Sequence, residues 1–192
     1  MTPRIVITGA PASGKTEFVE RLKAEPPFGG FVFFDELARR LLRDHPRYRH
    51  EPMAFHTEIY RRQTEREAET GERPFVTDRG TLDAFAFHPE AMAAVGTSRE
   101  REYARYTAVI QLGSAAVLGE RYYRRDEIRR ESPDEALAIE RAIRDVWGDH
   151  PTYRFLPACE NYTEKYAAFL AVASALIVEN GLDNRLSLTS LS

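Results

Sequence analysis

Gly9-Ala10-Pro11-Ala12-Ser13-Gly14-Lys15-Thr16 fits the pattern G-x-x-x-x-G-K-[ST] at every fixed position. Average residue usage would produce such a match by chance in roughly one chain of this size in a hundred. The flanks sharpen it: an apolar β-branched run, residues 4–8, comes directly before, and residues 14–23 read as an amphipathic helix with Phe18, Val19 and Leu22 inward. Strand, glycine-rich turn and helix in that order form a phosphate cradle. The glycines let the backbone approach closely, and the loop N–H groups converge on oxygen atoms at a helix N-terminus. Lys15 is expected to reach the β- and γ-phosphates of ATP or GTP, and Thr16 to ligate Mg²⁺.

Outward from this loop, strands and helices alternate. Residues 31–34, 75–77, 107–112 and 153–156 read as further short strands, with helices over 36–43, 51–70, 132–147 and 163–180 and helical segments up to about residue 105. Ser132-Pro133-Asp134-Glu135 carries the signature of a helix start. The helix over 51–70 loses its apolar face beyond Tyr60, so its second half is expected on the surface or over a cleft. Five short strands alternating with helices predict an α/β three-layer sandwich, a parallel sheet covered on both faces. One domain over 1–182 is expected, with a lid around 119–132 and an unstructured tail over 183–192 after a stop at Gly181.

Composition excludes several classes. A chain of 192 residues with 43% hydrophobic and 30% charged residues and a net charge of −3 lacks the basic excess of a nucleic-acid binder. The single cysteine, Cys159, permits neither an internal disulfide nor a cysteine zinc site, and reads as a small buried hydrophobe. No apolar run approaches the ~20 residues of a membrane span and no leader pattern opens the chain, so a cytoplasmic protein is expected. Nothing in the sequence speaks to its oligomeric state.

Ligands of open α/β sheets bind beyond the C-terminal strand ends, which draws attention to two strand edges. The second strand ends in Asp35-Glu36. A carboxylate there serves either as a helix-start acid or as a base that lines up an acceptor hydroxyl with the γ-phosphate, and the sequence leaves both roles open for both residues. The third strand ends in Asp78-Arg79, with Asp83 one helical turn on. Asp78 has the Walker-B position for holding Mg²⁺, Arg79 is expected to face phosphate or acceptor oxygens, and Asp83 to support Arg79 or the acceptor; the alternative is an ordinary strand-to-helix turn with Asp78 as its cap. Residues 120–131 hold five arginines. They read as a solvated mixed-charge face or as a lid that closes on the phosphates, with Arg121, Arg125 and Arg129 the candidates in that order.

Taken together these features resemble the NadR-like group of P-loop proteins, related to deoxynucleoside and thymidylate kinases. The resemblance spans nearly the whole chain. It rests on Gly9 to Thr16, on Glu36-Leu37-Ala38-Arg39 (similar to an E-x-A-R element) and on Asp78-Arg79-Gly80-Thr81-Leu82-Asp83 (similar to D-R-x-x-x-D), with looser matches at Gln63, Arg129-Arg130-Glu131, Asn161 and Lys165. It implies a five-stranded parallel core, a base at Glu36, a metal or phosphate role for Asp78 and Arg79, acceptor contact from Gln63, and a nucleotide base near Asn161. At one position the chain departs: deoxynucleoside kinases usually show serine where Gly80 stands. The resulting expectation is a small-molecule kinase that uses ATP and Mg²⁺ on a nucleoside-like acceptor. The alternative is a nucleotide-dependent switch or slow NTPase that acts on a protein or lipid partner. A motor-type ring is disfavoured, because the chain has no second helical domain.

Overall fold

The computed structural model describes residues 1–119, 121–123 and 131–189, without the side chains of 87 and 180–189. In chain order it contains β1 (Arg4–Gly9), α1 (Lys15–Leu22), β2 (Val32–Phe34), α2 (Leu37–Asp44), α3 (Pro52–Ala68), β3 (Phe75–Asp78), α4 (Asp83–Phe87), α5 (Glu90–Ala94), α6 (Arg99–Tyr103), β4 (Ala108–Leu112), α7 (Pro133–Trp147), β5 (Tyr153–Leu156) and α8 (Tyr162–Thr189). The five strands are parallel, in the order β2-β3-β1-β4-β5.

Alternation along β1 builds the layers. Ile5 and Ile7 face one side, where Phe18, Val19 and Leu22 of α1 and Phe169, Ala173 and Leu176 of α8 cover them. Val6 faces the other, against Leu82, Phe85, Ile143 and Trp147. The central strands β1, β3 and β4 are buried on both faces, so they read as largely continuous apolar runs. The chain crosses to one side of β1 for β2 and β3 and to the other for β4 and β5, which opens a crevice at the C-terminal end of β1. Register decides what lines it: Ile7 pairs with Asp78, and Gly9 with Leu112.

Several elements differ from the sequence reading. The polar second half of α3 is exposed at Arg61, Glu65 and Ala68 as expected, but Gln63 and Glu67 are 3% and 4% exposed, because they bury through hydrogen bonds rather than apolar contact. Helix α8 runs through Gly181 to Thr189 instead of stopping there; a helical glycine costs only about 1 kcal/mol, and no proline follows to end the helix. Cys159 is half-buried rather than buried. The start of α7 matches its sequence signature: Ser132 and Glu135 form a reciprocal capping box. Among the described residues no helix is long and apolar enough to cross a membrane.

Candidate functional site

The phosphate loop follows from backbone accounting. Gly9 allows no side chain, since a Cβ there would meet Leu112 O at 2.6 Å. Gly14, at φ 82°, opens α1 in the left-handed region, and Ala12 also sits at positive φ. Four successive carbonyls of the loop, Ala10 to Ser13, have partners on the protein side. Ala10 O accepts from Ser13 N, Pro11 O from Ser114 Oγ at 2.6 Å, Ala12 O from Ala115 N, and Ser13 O from Lys165 Nζ at 2.8 Å. The first-turn N–H groups of α1, which have no intrahelical partner, are left for the cleft. That cleft, about 410 Å³, is lined by Ala10 to Glu17 and, across from them, by Glu36, Arg39, Arg79 and Glu131.

Lys15 is 7% exposed, and its ammonium lies 2.9 Å from Asp78 Oδ1 and 3.8 Å from Glu36 Oε2. Thr16 Oγ1 donates to Asp78 Oδ2 at 3.1 Å. The pair fits a magnesium ion. Asp78 Oδ1 is buried and makes no hydrogen bond beyond the Lys15 ion pair. No cluster of three metal-ligating side chains exists among the described residues, as suits an ion that takes one or two protein ligands and completes its shell with phosphate and water.

The third strand edge is held together by side chains. Arg79 has φ 73°, a strained position for a residue with a Cβ. Its guanidinium donates to Glu36 Oε1 at 3.0 Å and to Asp83 Oδ1 at 3.2 Å. Asp83 also accepts from Thr8 Oγ1, from Gly80 N at 2.8 Å and from Trp147 Nε1 at 3.1 Å, so its carboxylate is fully used. Burial pushes the Glu36 carboxyl up, but the Lys15 and Arg79 charges outweigh it and hold the pKa at about 2. Burial works to lower the Arg79 pKa, yet Glu36 and Asp83 raise it above the ordinary arginine value. A second cavity of about 140 Å³ opens beside this lattice. Its walls are mainly apolar (Leu37, Phe55, Ile59, Ala84), and its polar end is formed by Glu36, Arg79 and Asp83.

The structure brings Lys15, Thr16, Glu36, Asp78, Arg79 and Asp83 together, with Asp35 at the edge and several other candidates turned elsewhere. Asp35 is exposed and ion-paired with Lys23 at 3.4 Å, and lines a cavity of about 240 Å³ with Thr16, Glu36 and Asp78; the N-cap of α2 is Glu36, not Asp35, and its side chain makes no capping bond. Gln63 lines the second cavity; its amide N–H groups are spent inside the protein on Thr77 at 2.9 Å and on Glu67, and its carbonyl oxygen accepts from Arg66. Asn161 caps α8 through Thr163 N at 3.0 Å and Glu164 N at 3.2 Å. Arg121 is exposed and pairs with Glu160 at 3.2 Å instead of facing the cleft. Arg125 and Arg129 lie outside the described residues. Three participants were not assigned roles from sequence. Arg39 lines the cleft, and the E-x-A-R spacing already pointed to it. Lys165 and Ser114 brace the loop from 152 and 103 residues away, without a local signal. The departure at Gly80 has a packing cause, since a Cβ there would meet Trp147 Cζ2 at 2.7 Å and Val6 Cγ2 at 2.9 Å.

Fold and site together define a P-loop NTPase fold of the kind found in nucleoside kinases. Residues 4–164 match the family described as an AAA domain (AAA_28), and the chain belongs to that family. Among solved structures it is similar to a deoxyadenosine kinase from M. mycoides, described with the products dCMP and dCDP bound. The TM-score is 0.60 at 12% identity, over 90% of this chain and 99% of that one. Matches to solved chains number 136, so the fold is widely shared and does not by itself select a substrate. No curated protein matches the sequence.

Proposed function

We propose that the protein is a small-molecule kinase, transferring the γ-phosphoryl of ATP (or GTP) to a hydroxyl of a nucleoside-like acceptor. One observation carries the reading: the phosphate cleft and the apolar cavity share Glu36 and Arg79 as their common wall. A donor phosphate on one side and an acceptor hydroxyl on the other would meet at that carboxylate. The kinase-type fold and the deoxyadenosine kinase neighbour support it.

In this reading the loop N–H groups and Lys15 bind the donor phosphates, with Thr16 and Asp78 holding Mg²⁺. That ion would supply charge neutralisation on the donor phosphates. Moving Lys15 onto the phosphates takes its charge from Glu36, which then accepts a hydrogen bond from the acceptor hydroxyl and orients it. A carboxylate of low pKa suffices, because in a loose phosphoryl-transfer transition state the acceptor proton leaves late. Arg79, fixed between Glu36 and Asp83, holds that carboxylate in place and faces the transferred group. Arg39 stands across the cleft from the loop as a further cation.

The regulatory-switch reading draws on a different observation: Arg79, Asp83 and Gln63 are all committed to protein partners, a closed lattice that suits slow hydrolysis. ADP production with and without a panel of nucleosides, nucleotides and vitamins separates the two. Stimulation by an acceptor above the water-only rate is expected; a rate that no acceptor raises would leave the switch.

A further inference from the structure

The nucleotide loop is braced by a buried cation that the kinase reading does not use. Lys165, in the first turn of α8, is 6% exposed, and its ammonium donates to Ser13 O at 2.8 Å and Gly113 O at 2.7 Å. Among the described residues no carboxylate stands within ion-pair distance of it. The titratable groups that face it are Glu140 on α7 and Cys159 in the segment before α8. Burying an ammonium without a counter-ion costs several kcal/mol, so its retention calls for a compensating anion.

Peptide planarity shows where that anion lies. In a trans peptide the C=O and the following N–H point in opposite directions. With Ser13 O turned to Lys165, the Gly14 N–H is turned the other way, into the cleft. With Gly113 O turned to Lys165, the Ser114 N–H points away from it and donates to Glu140 Oε2 at 2.6 Å. The groups form one aligned series: Glu140 carboxylate, Gly113–Ser114 peptide, Lys165 ammonium, Ser13–Gly14 peptide, cleft. Hydrogen bonds in such a series polarise one another.

We propose that Lys165 is a positioning residue of the phosphate site, fixing the Ser13–Gly14 peptide so that its N–H is aimed at, and strengthened toward, a bound nucleotide phosphate. The inference rests on nucleotide binding alone and stands whether or not an acceptor exists. Burial holds the Lys165 pKa down at about 8, with Glu140 opposing. A phosphate beyond the peptide favours the protonated form, so binding raises this pKa. Affinity is then constant below about pH 8 and weakens above it as free Lys165 loses its proton.

Titration calorimetry with MgATP and MgADP tests this from about pH 7 to pH 9.5, in buffers of different ionisation enthalpy. Wild type is expected to take up protons on binding near pH 8.5, where the nucleotide phosphates are already ionised. Lys165→Met should weaken both nucleotides about tenfold at pH 7, the loss of one charge-assisted hydrogen bond, and should remove the uptake. Lys165→Arg, always charged, should keep the affinity at pH 7 and lose the uptake. Binding without proton uptake in wild type overturns the proposal, even if Lys165→Met fails to fold. Lys165→Met with wild-type affinity and pH profile overturns it equally. A wild-type protein that binds no nucleotide would instead sink the kinase reading along with it.

Discussion

Two strand-to-helix turns stand side by side at the head of the sheet and solve opposite problems. The turn after β1 is built from backbone: Gly14 sits at φ 82°, its loop carbonyls are bonded outward, and its N–H groups are presented to the cleft. The turn after β3 is built from side chains. Arg79 adopts a similar φ of 73° without being glycine, and its charge is absorbed by Glu36 and Asp83. One turn is a prepared donor array that awaits an anion. The other is a neutralised lattice that a ligand must partly reopen, and Lys15, 2.9 Å from Asp78 and 3.8 Å from Glu36, belongs to both. Nucleotide binding should therefore need little rearrangement at the loop, while acceptor binding is coupled to the departure of Lys15 from the lattice.

The largest effect should come from the residue the two turns share. Lys15→Ala should cut turnover by about 10²–10³-fold through lost charge stabilisation and should weaken MgATP binding in calorimetry; wild-type affinity in this variant would break the account of the loop. Next, Glu36→Gln should lower kcat for acceptor-dependent turnover by roughly 10²-fold while leaving the ATP affinity within a fewfold of wild type. Equal loss in ATP affinity would mean that Glu36 serves the donor side, and full retention of kcat would reduce it to a helix-start acid. The same variant reports on the lattice by acid titration. The Glu36 pKa is depressed from 4.5 to about 2, so its stabilising contribution is complete above pH 4.5 and is lost as pH falls through 2. That contribution is on the order of 3 kcal/mol. Urea unfolding of Glu36→Gln should lack this part of the acid dependence.

Smaller effects probe the scaffold. Gly80→Ala places a methyl against Trp147 and Val6, and should destabilise by about 1–3 kcal/mol through overpacking, read as a lower Tm. An unchanged Tm would show that the β3 turn tolerates the serine usual in deoxynucleoside kinases. Arg39→Ala, at a residue that lines the cleft without an ion pair among the described residues, should raise the KM for ATP by less than about tenfold.

What the sequence disclosed tracks this same contrast. A backbone-built site demands particular residue types at fixed spacing, so Gly9 to Thr16 could be read directly, and with it the strand before and the helix after. The β3 edge was half legible: Asp78-Arg79 at the end of an apolar strand and Asp83 a turn later are local signals. The partners of Asp83 are not, since Thr8 and Trp147 lie 75 and 64 residues away. Hydrophobic periodicity could not find Gln63 and Glu67, which bury through hydrogen bonds. Nor could it show that the Gln63 N–H groups are spent on Glu67 and Thr77. Gly80, which looked like a departure in chemistry, is a consequence of packing against Trp147.

The central claim is that phosphoryl leaves the donor cleft for an acceptor hydroxyl across the Glu36–Arg79 wall. Following the label from γ-³²P-ATP, with the acceptor panel present and the products separated, tests it most directly. The account predicts label on an organic acceptor, and loss of that product in Glu36→Gln. Label recovered solely as inorganic phosphate, whatever acceptor is supplied, would contradict it.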